Sequence, residues 1–223
     1  MLNINCRDKI PIGIPRSRRQ MQLRFETPLS GEAYVVAQGW RMARLPTCPL
    51  HPQGGCSFSR HGTYSRVTPA GTRIPRWYCP EGHCTFSLLP DFLASHLSGT
   101  LAALEQVVLH VEHAGSVEAA ANALRPDNIS LPSAVRWTRC RIRLVRESLG
   151  GVLDTAPAMF PDCHPSITSF QNRLHRPRVL ACLRSRLAAY LPRLPAPLGY
   201  DRRGSHLQYI QHNSGADPPA YQH

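Results

Sequence analysis

A small β-hairpin unit clamped by its own side chains, followed by an all-α segment, is the fold class that this 223-residue sequence predicts. Three observations predict it. Two short knots, CPLHPQGGC (Cys48 to Cys56) and CPEGHC (Cys79 to Cys84), concentrate cysteine and histidine. A nearly proline-free stretch with apolar residues at helical spacing follows them, and prolines gather again towards the end. The chain divides accordingly into a basic N-terminal arm (1–44), a knot-bearing unit (45–90), a helical segment (91–153) and a proline-rich tail (154–223). Arm and tail are expected to be disordered or loosely ordered, with one short helix near 176–191.

The knots predict a zinc ribbon. A tetrahedral structural zinc site takes four ligands as two pairs on tight turns, so that one ion clamps loops that could not bury a core of their own. The 22 residues between Cys56 and Cys79 carry Gly62, Gly71 and the strand-like run Ile74 to Tyr78, which fits two short strands bringing the knots together. Six residues compete for four places. Cys48 and Cys79 open the knots, each followed by a turn-setting proline. In the first knot His51 has the commoner spacing, whereas Cys56 offers a thiolate on a loop bent by Gly54 and Gly55; Cys56 is favoured, with His51 as alternate. In the second, His83 and Cys84 are adjacent, so only one of them is expected to ligate. A disulfide framework would need an oxidising compartment, and the opening MLNINCRDKIPIGIPRSRRQ is basic, proline-interrupted and without the apolar run of an export signal. No stretch approaches the roughly 18 apolar residues of a membrane span. The expected setting is the reducing cytoplasm.

Charge points to the partner. The chain has 26 Lys plus Arg against 14 Asp plus Glu, a formal charge of +12, and Lys9 is its only lysine. Arginine suits bidentate contact with phosphates and base edges. A GC-rich genome also enriches arginine over lysine, but it does not suppress acids, so the net charge itself indicates a polyanion such as nucleic acid.

In the helical segment, Leu93, Leu97, Leu101, Leu104, Val108 and Val111 recur at three- and four-residue steps, predicting a helix that starts at Pro90-Asp91 and is weakened at Gly99. His113-Ala114-Gly115 stops it. Ser116 caps a short alanine-rich helix, VEAAANAL, with Glu118 in its first turn. After RPDNIS, a third helix opens at Leu131-Pro132-Ser133 and is expected to end at Gly150-Gly151. The pair suggests a helix-turn-helix, although RPDNISLP is longer than a tight three- or four-residue turn. On the third helix, Arg136, Arg139, Arg143 and Arg146 fall within an arc of roughly 80°. Like charges at these spacings repel by a few tenths of a kcal/mol per pair, a cost that a phosphate backbone would offset.

These residues resemble the zinc-ribbon proteins associated with transposases of bacterial insertion sequences. In that group the last ligand is followed by one residue, often arginine, and then Thr-Phe-Ser, which matches Thr85-Phe86-Ser87 if His83 is the ligand and Cys84 takes the arginine position. RHGTYSR, from Arg60 to Arg66, resembles the group's basic strand and turn. The similarity spans about residues 45–150. It implies a metal set of Cys48, Cys56, Cys79 and His83, with His51 and Cys84 as alternates, and Arg60 and Arg66 as DNA contacts beside the helical stripe. It further implies a DNA-binding recognition or regulatory component of transposition in the bacterial nucleoid, whose partners are double-stranded DNA and a transposase from a neighbouring reading frame. A zinc-ribbon adaptor for other proteins and a truncated transposase are the competing readings. Catalysis is not expected, because strand transfer needs three acids around divalent ions and the tail offers only the scattered Asp154, Asp162, Asp201 and Asp217. Cys163-His164 are neighbours that seldom form a working pair, and no phosphate-binding glycine loop occurs.

Overall fold

The computed structural model describes residues 19–201, which form a four-stranded mixed sheet and six α-helices. The strands are β1 (Arg19–Phe25), β2 (Ser59–Ser65), β3 (Arg73–Cys79) and β4 (Cys84–Pro90), in the order β1-β4-β3-β2. The expected two-strand hairpin is thus a larger sheet: β2, β3 and β4 form an antiparallel meander, and β1 lies parallel beside β4. Covered by strands on both edges, β4 is buried at all seven positions, Thr85 and Ser87 included, although these two alternate with Cys84, Phe86 and Leu88.

The N-terminal arm is not loose throughout. In β1, Met21, Leu23 and Phe25 alternate and pack with Ala43, Trp77, Phe86 and Leu88. Behind it, α1 (Gly31–Val36) is capped by the Ser30 hydroxyl, which accepts from the Ala33 N–H. It buries Tyr34, whose ring meets Phe25, Trp40 and Phe92 edge-on. Residues 1–18, including Cys6, lie outside the described residues.

The remaining helices are α2 (Leu101–His113), α3 (Val117–Leu124), α4 (Leu131–Thr155), α5 (Ile167–Leu174) and α6 (Val179–Arg186). Two expected boundaries are corrected. The first helix begins at Leu101, not at Pro90-Asp91: Gly99 stands at φ 101°, outside helical geometry, and the Thr100 hydroxyl caps the helix by accepting from Ala103 N–H. Leu93 is buried ahead of the helix in the connection that follows β4. The third helix does not end at Gly150-Gly151 but continues to Thr155, because Val145, Leu149 and Val152 make one fully buried stripe across the pair. Gly151 serves close packing instead: a Cβ there would meet Pro195 Cδ at 2.6 Å.

The tail as far as Asp201 is also part of the fold. Phe160, Ile167, Phe170, Leu180, Leu183, Leu187 and Leu194 join α2 and α4 in the main core, with two short helices in place of the single one expected. Residues 202–223 lie outside the described residues. Two carboxylates on α2, seven residues and hence two turns apart on one face, organise this half. Glu105 accepts from the N–H groups of Val179 and Leu180, both at 2.9 Å, at the start of α6. Glu112 accepts from those of Ile167 and Thr168, both at 2.8 Å, at the start of α5. Each carboxyl supplies acceptor oxygens to N–H groups that have no partner within their own helix.

The fully buried Arg184 joins the two halves. Its guanidinium donates to the carbonyls of Leu198 at 2.9 Å, Asp91 at 3.1 Å and Pro197 at 2.6 Å, and to that of Leu93. The Asp91 carboxylate in turn pairs with Arg24 on β1 at 2.9 Å.

Arg184→Met, which keeps the bulk but leaves these carbonyls without their donor, is expected to lower the urea unfolding free energy by at least about 3 kcal/mol. Burial pushes the Glu105 carboxyl above its ordinary value of 4.5, against the pull of the Leu180 and Val179 N–H groups. The protonated form is therefore the one that folding favours. The contribution is fully present below the unfolded pKa and is lost as pH rises through the folded one. Wild type should gain stability relative to Glu105→Gln as pH falls from 7 towards 4.5, and a difference that shrinks on acidification would contradict this.

Candidate metal centre and basic helix face

The two knots converge at one end of the sheet. In the first, the His51 N–H bonds the Cys48 carbonyl at 3.1 Å and the Gly54 N–H bonds the His51 carbonyl at 3.0 Å. Gly54 and Gly55 then take φ of 87° and 81°, a left-handed path that brings Cys56 back towards Cys48. In the second, Cys79 ends β3, and the Gly82 N–H points at its sulfur at 3.3 Å. A Cβ on Gly82 would strike Leu50 of the first knot at 2.5 Å, so the missing side chain lets the knots close on each other. Glu81 fastens them further by accepting from the Ser57 N–H at 3.1 Å.

This local geometry places Sγ of Cys48, Cys56 and Cys79 and a ring nitrogen of His51 within 4.8 Å of one another. His51 Nδ1 lies 3.6 Å from Cys48 Sγ and 3.4 Å from Cys79 Sγ. The first knot thus supplies two sulfurs and the imidazole, the second supplies one sulfur, and together they form a donor set that could hold a metal ion. Burial opposes ionisation of Cys48, yet the His51 side chain and the N–H groups of Leu50 and His51 outweigh it and lower its pKa. Burial above all pushes Cys79 up to about 11, and charge on Cys48 adds to this.

The group differs from the expected set by one exchange, His51 for His83. His83 is exposed and closes the turn at φ 46°, its N–H on the Pro80 carbonyl and its own carbonyl accepting from the Arg19 N–H. It acts through its backbone, tying the knot to β1. Cys84 is buried in the sheet core, with its thiol 4.0 Å from the Thr85 carbonyl, and burial pushes it up to about 11. The Cys-x2-His spacing is the sequence signal for His51. Glu81 carries no comparable signal.

On α4 the four arginines of the stripe are all exposed. Arg139 pairs with Glu118 of α3, both half or more exposed, so the pair contributes little. No ion pair engages Arg136, Arg143 or Arg146 among the described residues. Arg141, off the stripe, is buried and stacks on Trp137 at 3.6 Å. The other two expected DNA contacts are engaged by the fold. Arg66 donates to the carbonyls of Ala94 at 2.7 Å and Leu97 at 3.1 Å, while Arg60 lies 5.6 Å over Trp77 and donates to the Trp40 carbonyl at 2.9 Å. No helix among the described residues is long and apolar enough to cross a membrane.

Metal content measured by mass spectrometry on purified variants separates the ligands from their neighbours. His51→Ala is expected to lose most of the bound metal, whereas His83→Ala and Cys84→Ser retain it. Loss in His83→Ala with retention in His51→Ala would reverse the assignment.

Comparisons with models of protein families, with curated proteins and with solved structures give no match to this chain.

Proposed function

We propose that this chain is a zinc-dependent DNA-binding protein, a zinc ribbon joined to a helical unit whose fourth helix lies along double-stranded DNA. The observation that carries the reading is the stripe of Arg136, Arg139, Arg143 and Arg146, exposed together on one side of α4 and answered by a single surface carboxylate, Glu118, among the described residues. Phosphates would relieve the mutual repulsion of these charges and accept their bidentate hydrogen bonds. Their sign agrees with the formal charge of +12. Zinc is the ion that the donor set favours, since three thiolates and an imidazole in a closed four-ligand site are characteristic of structural zinc. Its role is to fasten the sheet against which the helices are built.

The mobile-element role rests on the Thr85-Phe86-Ser87 continuation of the second knot and on the basic run from Arg60. In that role the chain recognises or regulates, and a separate transposase supplies catalysis.

Duplex binding measured across a salt series tests the proposal. Changing all four stripe arginines to alanine should weaken binding and reduce the slope of log affinity against log salt by about 0.9 for every phosphate that is no longer neutralised. An unchanged slope and affinity would remove α4 from the interface. Failure of the wild type to prefer duplex DNA over heparin, together with a stable complex with a host protein, would favour an adaptor instead.

A further inference from the structure

From Cys163 to Tyr200 the chain has six arginines and no acidic residue, so this stretch carries half of the formal charge of +12. Arg184 is the buried one and serves the fold. Arg173, Arg176, Arg178, Arg186 and Arg193 are all exposed, and none of them forms an ion pair or a side-chain hydrogen bond among the described residues. The two α2 carboxyls that reach this unit are already engaged, Glu105 by the N–H groups of Val179 and Leu180 and Glu112 by those of Ile167 and Thr168. Five like charges therefore face water without an answering surface acid, a self-repelling arrangement that a polyanion relieves.

The fold sets these charges in a row. Only residues 175–178 join α5 to α6. His175 closes α5 at φ 52° with its N–H on the Gln171 carbonyl at 2.8 Å, and the Gln171 side-chain amide donates to the Pro177 carbonyl at 3.2 Å. This braced turn gathers Arg173, Arg176 and Arg178 around the start of α6. Val179, Leu180 and Leu183 bury one side of that helix. Arg178 and Arg186, eight residues apart, lie within about 80° of each other on its open side and about 12 Å apart along its axis. Past Arg186, a single 3-10 turn (Ala188–Tyr190) presents Tyr190, 41% exposed, and the Arg193 N–H bonds the Tyr190 carbonyl at 2.9 Å. No aromatic ring or guanidinium packs on the Tyr190 ring among the described residues.

We propose that this row binds a single strand of nucleic acid, with phosphates on the arginines along α6 and a base stacked on Tyr190. Charge alone would suit any polyanion. The open ring between Arg186 and Arg193 narrows the class, because an aromatic face beside cations is what an unpaired base stacks on. In a duplex the base faces are covered by their neighbours, so a single strand is the form that uses the ring. The surface is separate from the stripe on α4, and its single-stranded partner does not follow from the reading of that helix.

Fluorescence anisotropy of the full chain with labelled oligothymidine and oligouridine of about twelve nucleotides tests it. Saturable binding of at least one is expected, and the tighter of the two identifies DNA or RNA as the source of the strand. Tyr190→Ala should weaken that binding at least about fivefold and leave duplex affinity unchanged. Changing Arg176, Arg178 and Arg186 together to alanine should lower the slope of log affinity against log salt by about 0.7 for each phosphate released. The variant with all four α4 arginines changed to alanine should still bind the single strands, so failure of the α4 reading is distinguished from failure of this one. Polyglutamate of similar length, which has the charge but no ring to stack, should bind more weakly. Equal binding of polyglutamate, which would indicate an acidic protein partner, would overturn the proposal, as would unchanged oligonucleotide affinity in Tyr190→Ala or an unchanged salt slope in the triple variant.

Discussion

Three cysteine sulfurs and one imidazole nitrogen lie within 4.8 Å of one another where the two knots meet, an arrangement that could hold a metal ion. Convergence of the knots closes this end of the sheet. Its strands are seven residues each, and the stretch Pro49 to Gly55 between the two cysteines of the first knot is exposed or half-buried, while Ala43, Leu45 and Phe58 on either side pack into the sheet core. The surrounding features serve the same closure: the left-handed Gly54-Gly55 path, the absent side chain at Gly82 beside Leu50, and the Glu81 bridge to Ser57. Trp77, Phe86 and Cys84 then pack against the closed end, and β1 adds its apolar edge to β4.

The helical half solves a different problem with buried charge. Its helices are short apart from α4, and α5 and α6 are only eight residues each, too short to persist on their own. Glu105 and Glu112 provide acceptor oxygens at the starts of α6 and α5, while Arg184 satisfies carbonyls in segments that have no regular partners. The same guanidinium reaches the connection after β4, so one side chain contributes both to the order of the tail and to the attachment of the helices to the sheet.

Much of this is legible in the chain, and the remainder escapes for physical reasons. The knots, the capping residue Ser116 and the arginine stripe are local signals, and local chemistry decides them. The connection of residues 125–130 likewise matches the expected long turn. The N-terminal arm and the tail read as loose because their order comes from distant partners: β1 pairs with a strand more than sixty residues on, and α6 is capped from α2. Proline density in the tail describes turns between packed pieces, not absence of packing. Gly150-Gly151 reads as a stop because a glycine pair commonly ends a helix, whereas close approach of Pro195 is a tertiary requirement that no window of sequence contains. The Thr-Phe-Ser motif favours His83 as the last ligand, yet it locates only the start of β4 and does not fix the direction of the histidine ahead of it.

The proposed function combines a metal-fastened sheet with an exposed cationic helix, and the metal centre is the part on which the rest is built. X-ray absorption at the zinc edge of the purified protein tests that centre most directly. The expected result is a four-coordinate shell of three sulfurs at about 2.3 Å and one nitrogen at about 2.0–2.1 Å. A four-sulfur shell, which would draw in Cys84, or a shell of oxygen and nitrogen alone, would contradict it.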